Sequence, residues 1–160
     1  MVNVCMEIET TRDIARQILR HRSFSFQEFS QRYADPTSLD DPFVLREARL
    51  QDPKNRQNSI EVEDKGLQDW WESQQLWLIN QVKQIYDAAI ERGIAKEQAR
   101  AILPEGNMKS RLYVQGTIRS FIHYIELRSA NGTQKEHIEL AREIAKAISQ
   151  IFPMIEDYVQ

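Results

Sequence analysis

Leu67, Trp71, Leu78, Val82, Ile85 and Ala89 recur at helical spacing, and Gly93 stops the pattern. No other part of the chain keeps one period for so long, so residues 67–89 define the longest helix. Trp70, Trp71 and Trp77 all lie on it. Indoles at this spacing read as core, or as contact with another copy of the chain, in preference to a platform for stacking bases.

The period changes on either side. Val2, Val4, Met6 and Ile8 alternate with polar residues, which predicts a half-buried strand over 2–9. Thr10 and Thr11 offer a cap, and Ile14, Ile18 and Leu19 supply the stripe of a helix reaching Arg20. From Ser23 to Tyr33 the parity returns to two, so an extended segment would set Glu28, Ser30 and Arg32 in a row on one face. Pro36, Pro42 and Pro53 mark a long loop region with a short ordered piece near 43–49. A short helix over 96–103 stops at Pro104, and Leu112 and Val114 alternate with Arg111, Tyr113 and Gln115 in a strand before Gly116. Thr117 then caps a helix with Ile118, Phe121, Ile122 and Ile125 on one face and Arg119, His123 and Glu126 on the other. Thr133 and Glu136 have capping-box spacing, and Ile138, Ala141, Ile144, Ile148 and Phe152 continue a last helix. The expected fold is α/β of the mixed α+β kind. It is one helix-rich domain over 1–160 with a small central sheet, assembling as an oligomer.

Composition narrows the function. At 160 residues, 41% hydrophobic and 28% charged, the chain has the make-up of a soluble globular domain. No apolar run approaches the roughly 18 residues of a membrane span, and no basic signal region opens the chain. The single cysteine, Cys5, fits a cytoplasmic protein without internal disulfides and is expected to be a packing residue of the first strand. His21, His123 and His137 stand apart without metal-ligand spacing, so no metal is expected. No phosphate-loop, dinucleotide-fingerprint or serine-elbow motif is present.

Charge is unevenly spread. The net charge is −3, yet residues 12–32 hold five arginines against two acids, and residues 96–128 hold six bases against three. Residues 35–64 reverse this, with eight acids against four bases. Two readings stand: solvated helix faces, or guanidinium forks that bind a defined anion such as a phosphate. Arg20-His21-Arg22 at a helix end likewise either binds a phosphate or complements the helix dipole. A general nucleic-acid binder would more often be basic overall.

Arg20-His21-Arg22, seven residues, then Ser30 and Arg32-Tyr33 form a long signature. Two further blocks are Lys96-Glu97-Gln98-Ala99-Arg100-Ala101-Ile102-Leu103-Pro104 and Gly116-Thr117-Ile118-Arg119-Ser120-Phe121-Ile122-His123, the latter continuing through Leu127-Arg128 to Gln134-Lys135-Glu136-His137. Together they resemble the flavin-dependent thymidylate synthases over nearly the whole chain. The resemblance implies reductive methylation of dUMP to dTMP, with 5,10-methylenetetrahydrofolate as carbon donor, FAD as hydride carrier and NADPH as reductant.

It also implies roles for individual residues. Arg20, His21, Arg22, Glu28, Thr117, Ile118, Arg119 and His123 would meet FAD. Gln17, Arg20, Glu28, Phe29, Ser30, Gln31, Arg32 and Arg100 would hold dUMP, with Gln27, Phe29 and Gln31 acting through backbone atoms. Arg128 would polarise the uracil ring and is the expected catalytic residue. A homotetramer with active sites shared between chains is implied, with no nucleic-acid or membrane partner. The family's usual N-terminal segment, with further flavin contacts, has no counterpart here, so weaker FAD retention with normal dUMP binding is expected. The alternative is a non-catalytic nucleotide or RNA binder that stacks bases on Phe24, Phe26 and Phe29.

Overall fold

The computed structural model describes residues 2–32 and 41–160, so the expectations for Tyr33 and Pro36 lie outside the described residues. Strands β1 (Asn3–Thr11), β2 (Ser25–Glu28) and β5 (Lys109–Thr117) form an antiparallel sheet in the order β1-β5-β2. Ile8 lies opposite Leu112, and both Met6 and Phe26 lie opposite Val114. That register sends one parity inward. Ile8, Leu112 and Val114 are buried against Ile14 and Ile18 of α1 (Arg12–Ile18), Phe121 and Ile125 of α4 (Ile118–Ser129), and Ile144 and Ile148 of α5 (Lys135–Ser149). The other parity is polar. Tyr113 Oη donates to Glu7 at 2.5 Å, and Arg111 to Glu9 at 3.4 Å. Cys5 belongs to this outer face and is exposed, so it is not the packing residue expected.

Gly116 in β5 is required by a neighbour rather than by a turn. A Cβ there would come within 2.4 Å of the Phe24 ring, whose centroid lies 4.8 Å from that of Phe121. The glycine therefore lets the segment after α1 close down over the sheet.

Helix α2 (Lys65–Glu91) matches the expected long helix. Asp64 caps it, accepting from the Gly66 and Leu67 amides at 2.8 and 3.2 Å, and Gly93 ends it at φ 80°. Its inner face holds Gln75, Val82 and Tyr86, the last two in a second cluster with Ala99, Leu103 and Met108. Trp70 and Trp77 are 56% and 62% exposed, so they are not core residues of this chain.

Several expectations fail for local reasons. A hairpin of β3 (Arg49–Gln51) and β4 (Ser59–Glu61) interrupts the expected loop. Its turn is built by Asp52, which accepts from the Lys54 and Asn55 amides, and its strands are too exposed to leave an apolar pattern. The short helix is α3 (Lys96–Ala99) followed by a 3-10 turn, Arg100–Ile102. α5 stops at Ser149 instead of continuing to Phe152, and a second 3-10 turn covers Pro153–Tyr158. The capping box does not form. Gln134 is the N-cap, Thr133 donates to Leu127 O at 3.4 Å, and Glu136 turns to arginines. The row of Glu28, Ser30 and Arg32 also breaks, because β2 ends at Glu28 and the chain turns at 31–32.

No helix among the described residues is long and apolar enough to cross a membrane.

Candidate active site

The turn that follows α1 carries Arg20, His21 and Arg22. It is closed by backbone bonds from His21 N to Ile18 O at 2.9 Å and from Phe24 N to His21 O at 3.3 Å. His21 is half-buried, its ring edge-on to Tyr124 with centroids 5.0 Å apart. Arg128, in the last turn of α4, donates from Nε to His21 Nε2 at 2.9 Å. A ring nitrogen that accepts from a guanidinium carries no proton, so His21 is the neutral Nδ1–H tautomer. Burial, and then the charge of Arg128, lower its pKa to about 4. Arg128 is itself pushed down, first by burial, with Arg20 adding repulsion and Tyr124 opposing it.

Among the described residues no carboxylate pairs with Arg20, Arg22, Arg100, Arg119 or Arg128. Arg12, Arg16, Arg46, Arg49 and Arg111 each pair with a Glu or Asp. The group at Arg20 and Arg128 is thus cationic, partly desolvated and not neutralised from within, which is the electrostatic form of an anion site.

Behind it a chain of side chains leads into the core. Tyr124 Oη is 2.9 Å from His137 Nε2, and His137 Nδ1 is 3.1 Å from Gln17 Oε1. Gln17 Nε2 then donates to Gln134 Oε1 at 2.9 Å.

The structure therefore brings Gln17, Arg20, His21 and Arg128 together. Glu28, Ser30, Arg32 and Arg100 gather elsewhere. Glu28 Oε1 accepts from Ser110 at 3.0 Å and pairs with Arg12 at 3.4 Å, which places it beside the first residue of α1, whereas Gln17 is near the last. Both contacts use Oε1, so Oε2 is left over. The Phe29 amide is spent on Arg111 O at 2.8 Å, and Ser30 Oγ accepts from the Arg32 amide at 3.4 Å. Arg32 pairs with Glu97, whose carbonyl accepts from Arg100 Nε at 3.4 Å. Gln31 is buried, and its Nε2 has no partner among the described residues. Gln27 is exposed.

The start of α4 lies against the Arg20 turn, because Ser120 Oγ donates to Ser23 O at 3.3 Å. Thr117 caps the helix, accepting from the Ser120 amide at 3.2 Å, and Ile118 packs against the core. Arg119 is exposed, and His123 lies 3.6 Å from Glu126 on the face the sequence assigns them.

Sequence reasoning left Tyr124 and His137 without a role, together with a second arginine group. Arg46 donates to Gly106 O, Thr11 and Asp13 and pairs with Glu136 at 3.3 Å, and Arg49 joins it on Glu136. Burial alone would raise the Glu136 pKa, but the hydrogen bond from Arg49 and the charges of both arginines bring it down to about 2. An open groove of about 790 Å³ lies on this side, between the β3–β4 hairpin, α2 and the start of α5. Of the residues around Arg128 it reaches only Gln134. Arg20, Arg22, Arg119 and Arg128 do not line it.

A cationic turn left unneutralised among the described residues beside a half-buried neutral histidine has the electrostatic form that suits an anion. Comparison makes this specific. The family described as thymidylate synthase complementing protein matches residues 1–154. A probable flavin-dependent thymidylate synthase of Paramecium bursaria Chlorella virus 1 is 50% identical over 150 residues, which are 94% of this chain and 68% of that one. The flavin-dependent thymidylate synthase of Synechocystis sp. is 48% identical over 155 residues, 97% of this chain and 70% of its own length. That of Aquifex aeolicus is 35% identical over 145 residues, 86% of this chain and 41% of that one. The chain belongs to the thymidylate synthase complementing protein family.

Proposed function

We propose that the chain is a flavin-dependent thymidylate synthase that methylates dUMP to dTMP, with 5,10-methylenetetrahydrofolate as carbon donor, FAD as hydride carrier and NADPH as reductant. The observation that carries this reading is the Arg128–His21 pair beside Arg20, without a carboxylate among the described residues, in a chain of this family.

The residues fit a flavin nucleotide. Arg20, Arg22 and Arg119 are guanidiniums without carboxylate partners around one turn, where diphosphate oxygens need forked donors. Arg20, His21, Arg22, Thr117, Ile118, Arg119 and His123 would hold FAD, which supplies the hydride when bound. Glu28 fits less directly, since one carboxylate oxygen is already engaged by Ser110 and Arg12.

For dUMP, Arg128 is the catalytic residue of this proposal. As electron density moves onto the uracil ring, a guanidinium fixed beforehand stabilises it without reorganising. His21 takes the Nε proton of Arg128 in a hydrogen bond and, being neutral, adds no competing charge; the Nη donors stay available. Gln17 and Arg20 complete this end of the nucleotide. Ser30, Gln31, Arg32 and Arg100 would hold the rest, with Phe29 through its carbonyl and Glu28 through its second carboxylate oxygen.

In one chain those two groups stand at opposite ends of α1, a seven-residue helix about 10 Å long. That supports an active site completed by a second copy of the chain, as in a homotetramer. The exposed Trp70, Trp77, Leu78 and Ile85 of α2 are a surface suited to such contact. dUMP and further copies of the chain are then the partners, in the cytoplasm, with no nucleic acid or membrane needed. RNA stacking is disfavoured because Phe24 is buried and Phe26 packs against the same core.

The test is an absorbance spectrum of the protein with FAD, then NADPH with and without dUMP. Bound flavin that bleaches in response to the nucleotide is expected. No flavin retention and no bleaching would sink the proposal.

A further inference from the structure

His137 is fully buried and Tyr124 nearly so, whereas Gln17 is half-buried one turn before Arg20. The hydrogen bonds that join them run in one of two directions. In the first, His137 donates from Nε2 to the phenol. The phenol proton then has no acceptor in the core among the described residues, which a buried hydroxyl does not tolerate. In the second, Tyr124 donates to Nε2, His137 donates from Nδ1 to Gln17 Oε1, and Gln17 donates from Nε2 to Gln134 Oε1. Every member is satisfied only in the second.

Burial also keeps both rings uncharged, so the choice lies between the two neutral tautomers. It keeps the Tyr124 phenol protonated by raising its pKa, and lowers the pKa of His137 to about 3, so the imidazole is neutral and has one bare nitrogen.

We infer that His137 is a positioning residue that fixes which end of the Gln17 amide faces the nucleotide. An amide has two donors and two acceptor lone pairs. His137 occupies one lone pair and Gln134 one N–H, which leaves one of each for a ligand, at defined ends. A half-turn of the amide would exchange them and set an oxygen where the ligand expects a donor. Gln134 is itself an amide and can turn together with Gln17, whereas the Nδ1–H of His137 cannot become an acceptor while Tyr124 donates to Nε2, so His137 sets the orientation. The role rests on the thymidylate synthase reading, in which Gln17 contacts dUMP.

Two variants of the full chain, assayed with FAD, separate positioning from packing. His137→Asn puts an amide N–H where Nδ1–H stood and so retains the donor to Gln17. His137→Gln reaches the Nε2 position with an oxygen that serves Tyr124, but leaves Gln17 without its donor. With the donor kept, the KM for dUMP is expected within about threefold of wild type; with it lost, KM should rise about tenfold or more while kcat at saturating dUMP and FAD content stay near wild type. Equal KM values for the two variants would overturn the inference. Should either variant fail to fold, ¹⁵N NMR of wild-type His137 decides: a protonated Nδ1 and bare Nε2 support it, and the opposite tautomer overturns it. A wild-type protein that binds no dUMP would instead remove the functional reading and this inference with it. A wild type that binds dUMP and is matched by both variants removes the inference alone.

Discussion

Arg46 and Arg128 are both long cations drawn partly out of water, and their surroundings treat them in opposite ways. Arg46 meets Asp13, Glu136, a hydroxyl and a carbonyl, so its charge and its donors are consumed inside the fold. Arg128 meets one neutral imidazole and, at longer range, the like charge of Arg20. A fold selected for stability alone would place a carboxylate beside Arg128, as it does beside Arg46. The first group ties the start of α1, the segment before β3 and the start of α5 together. The second group is left in want of an anion, which costs stability and is what a binding site requires.

Breaking the saturated group should have the largest effect. Arg46→Ala leaves Asp13 half-buried with, among the described residues, the Thr11 hydroxyl as its remaining side-chain partner, and takes one of two arginines from Glu136. Removing one member of such a network costs about 3–5 kcal/mol, read from urea unfolding. A loss under about 1 kcal/mol would show that the network does not hold these segments together.

Arg128→Ala should do the reverse. The protein should unfold no more easily, because a cation repelled by Arg20 has gone, while turnover of dUMP falls by about 10²–10³, or roughly 3–4 kcal/mol of transition-state stabilisation. FAD content should change far less. Turnover at the wild-type rate would remove Arg128 from the mechanism.

Acid should then distinguish the groups. The pKa of His137 in the fold is about 3, against an ordinary 6.5, so the unfolded chain binds more protons and stability rises with pH. Its contribution is complete above about pH 6.5 and is lost as pH falls towards 3. Between pH 7 and 5 this one residue should account for about 2 kcal/mol, and His21 acts in the same direction. Glu136, held down at about 2, contributes above pH 4.5 and loses that contribution only below it. Urea midpoints at pH 7, 5 and 3.5 should fall first through the histidines and later through the arginine network. A flat profile from pH 7 to 5 would mean that the histidines are not buried neutral.

Much of this molecule can be read from period and spacing. The alternation of β1, the stripe of α2 and its stop at Gly93 are local signals, and local signals suffice when the partner is simply the core. The arginine turn was visible as a motif, and Arg128 only through resemblance. What stayed hidden depends on contacts between distant segments. His137 and Gln17 are 120 residues apart and Arg128 and His21 107, and no period records such pairs. The tryptophans of α2 were legible as apolar, yet a sequence does not say whether apolar surface meets its own chain or another. Glu136 shows a local signal that lost: its spacing from Thr133 matches a capping box, but two arginines from another segment compete for the same carboxylate.

That competition supplies the smallest prediction. If Glu136 belongs to the arginines, Thr133 is not half of a box, and Thr133→Ala should cost less than about 0.5 kcal/mol. Thr117→Ala, which removes an oxygen that accepts from the Ser120 amide, should cost about 1 kcal/mol, the ordinary worth of a threonine cap. The two substitutions delete the same atoms at the starts of neighbouring helices, so packing losses largely cancel in the difference. Equal costs in urea unfolding would mean that the box forms and that Glu136 is shared with the helix start. Arg46 and Arg49 would then be less fully neutralised than the contrast with Arg128 requires.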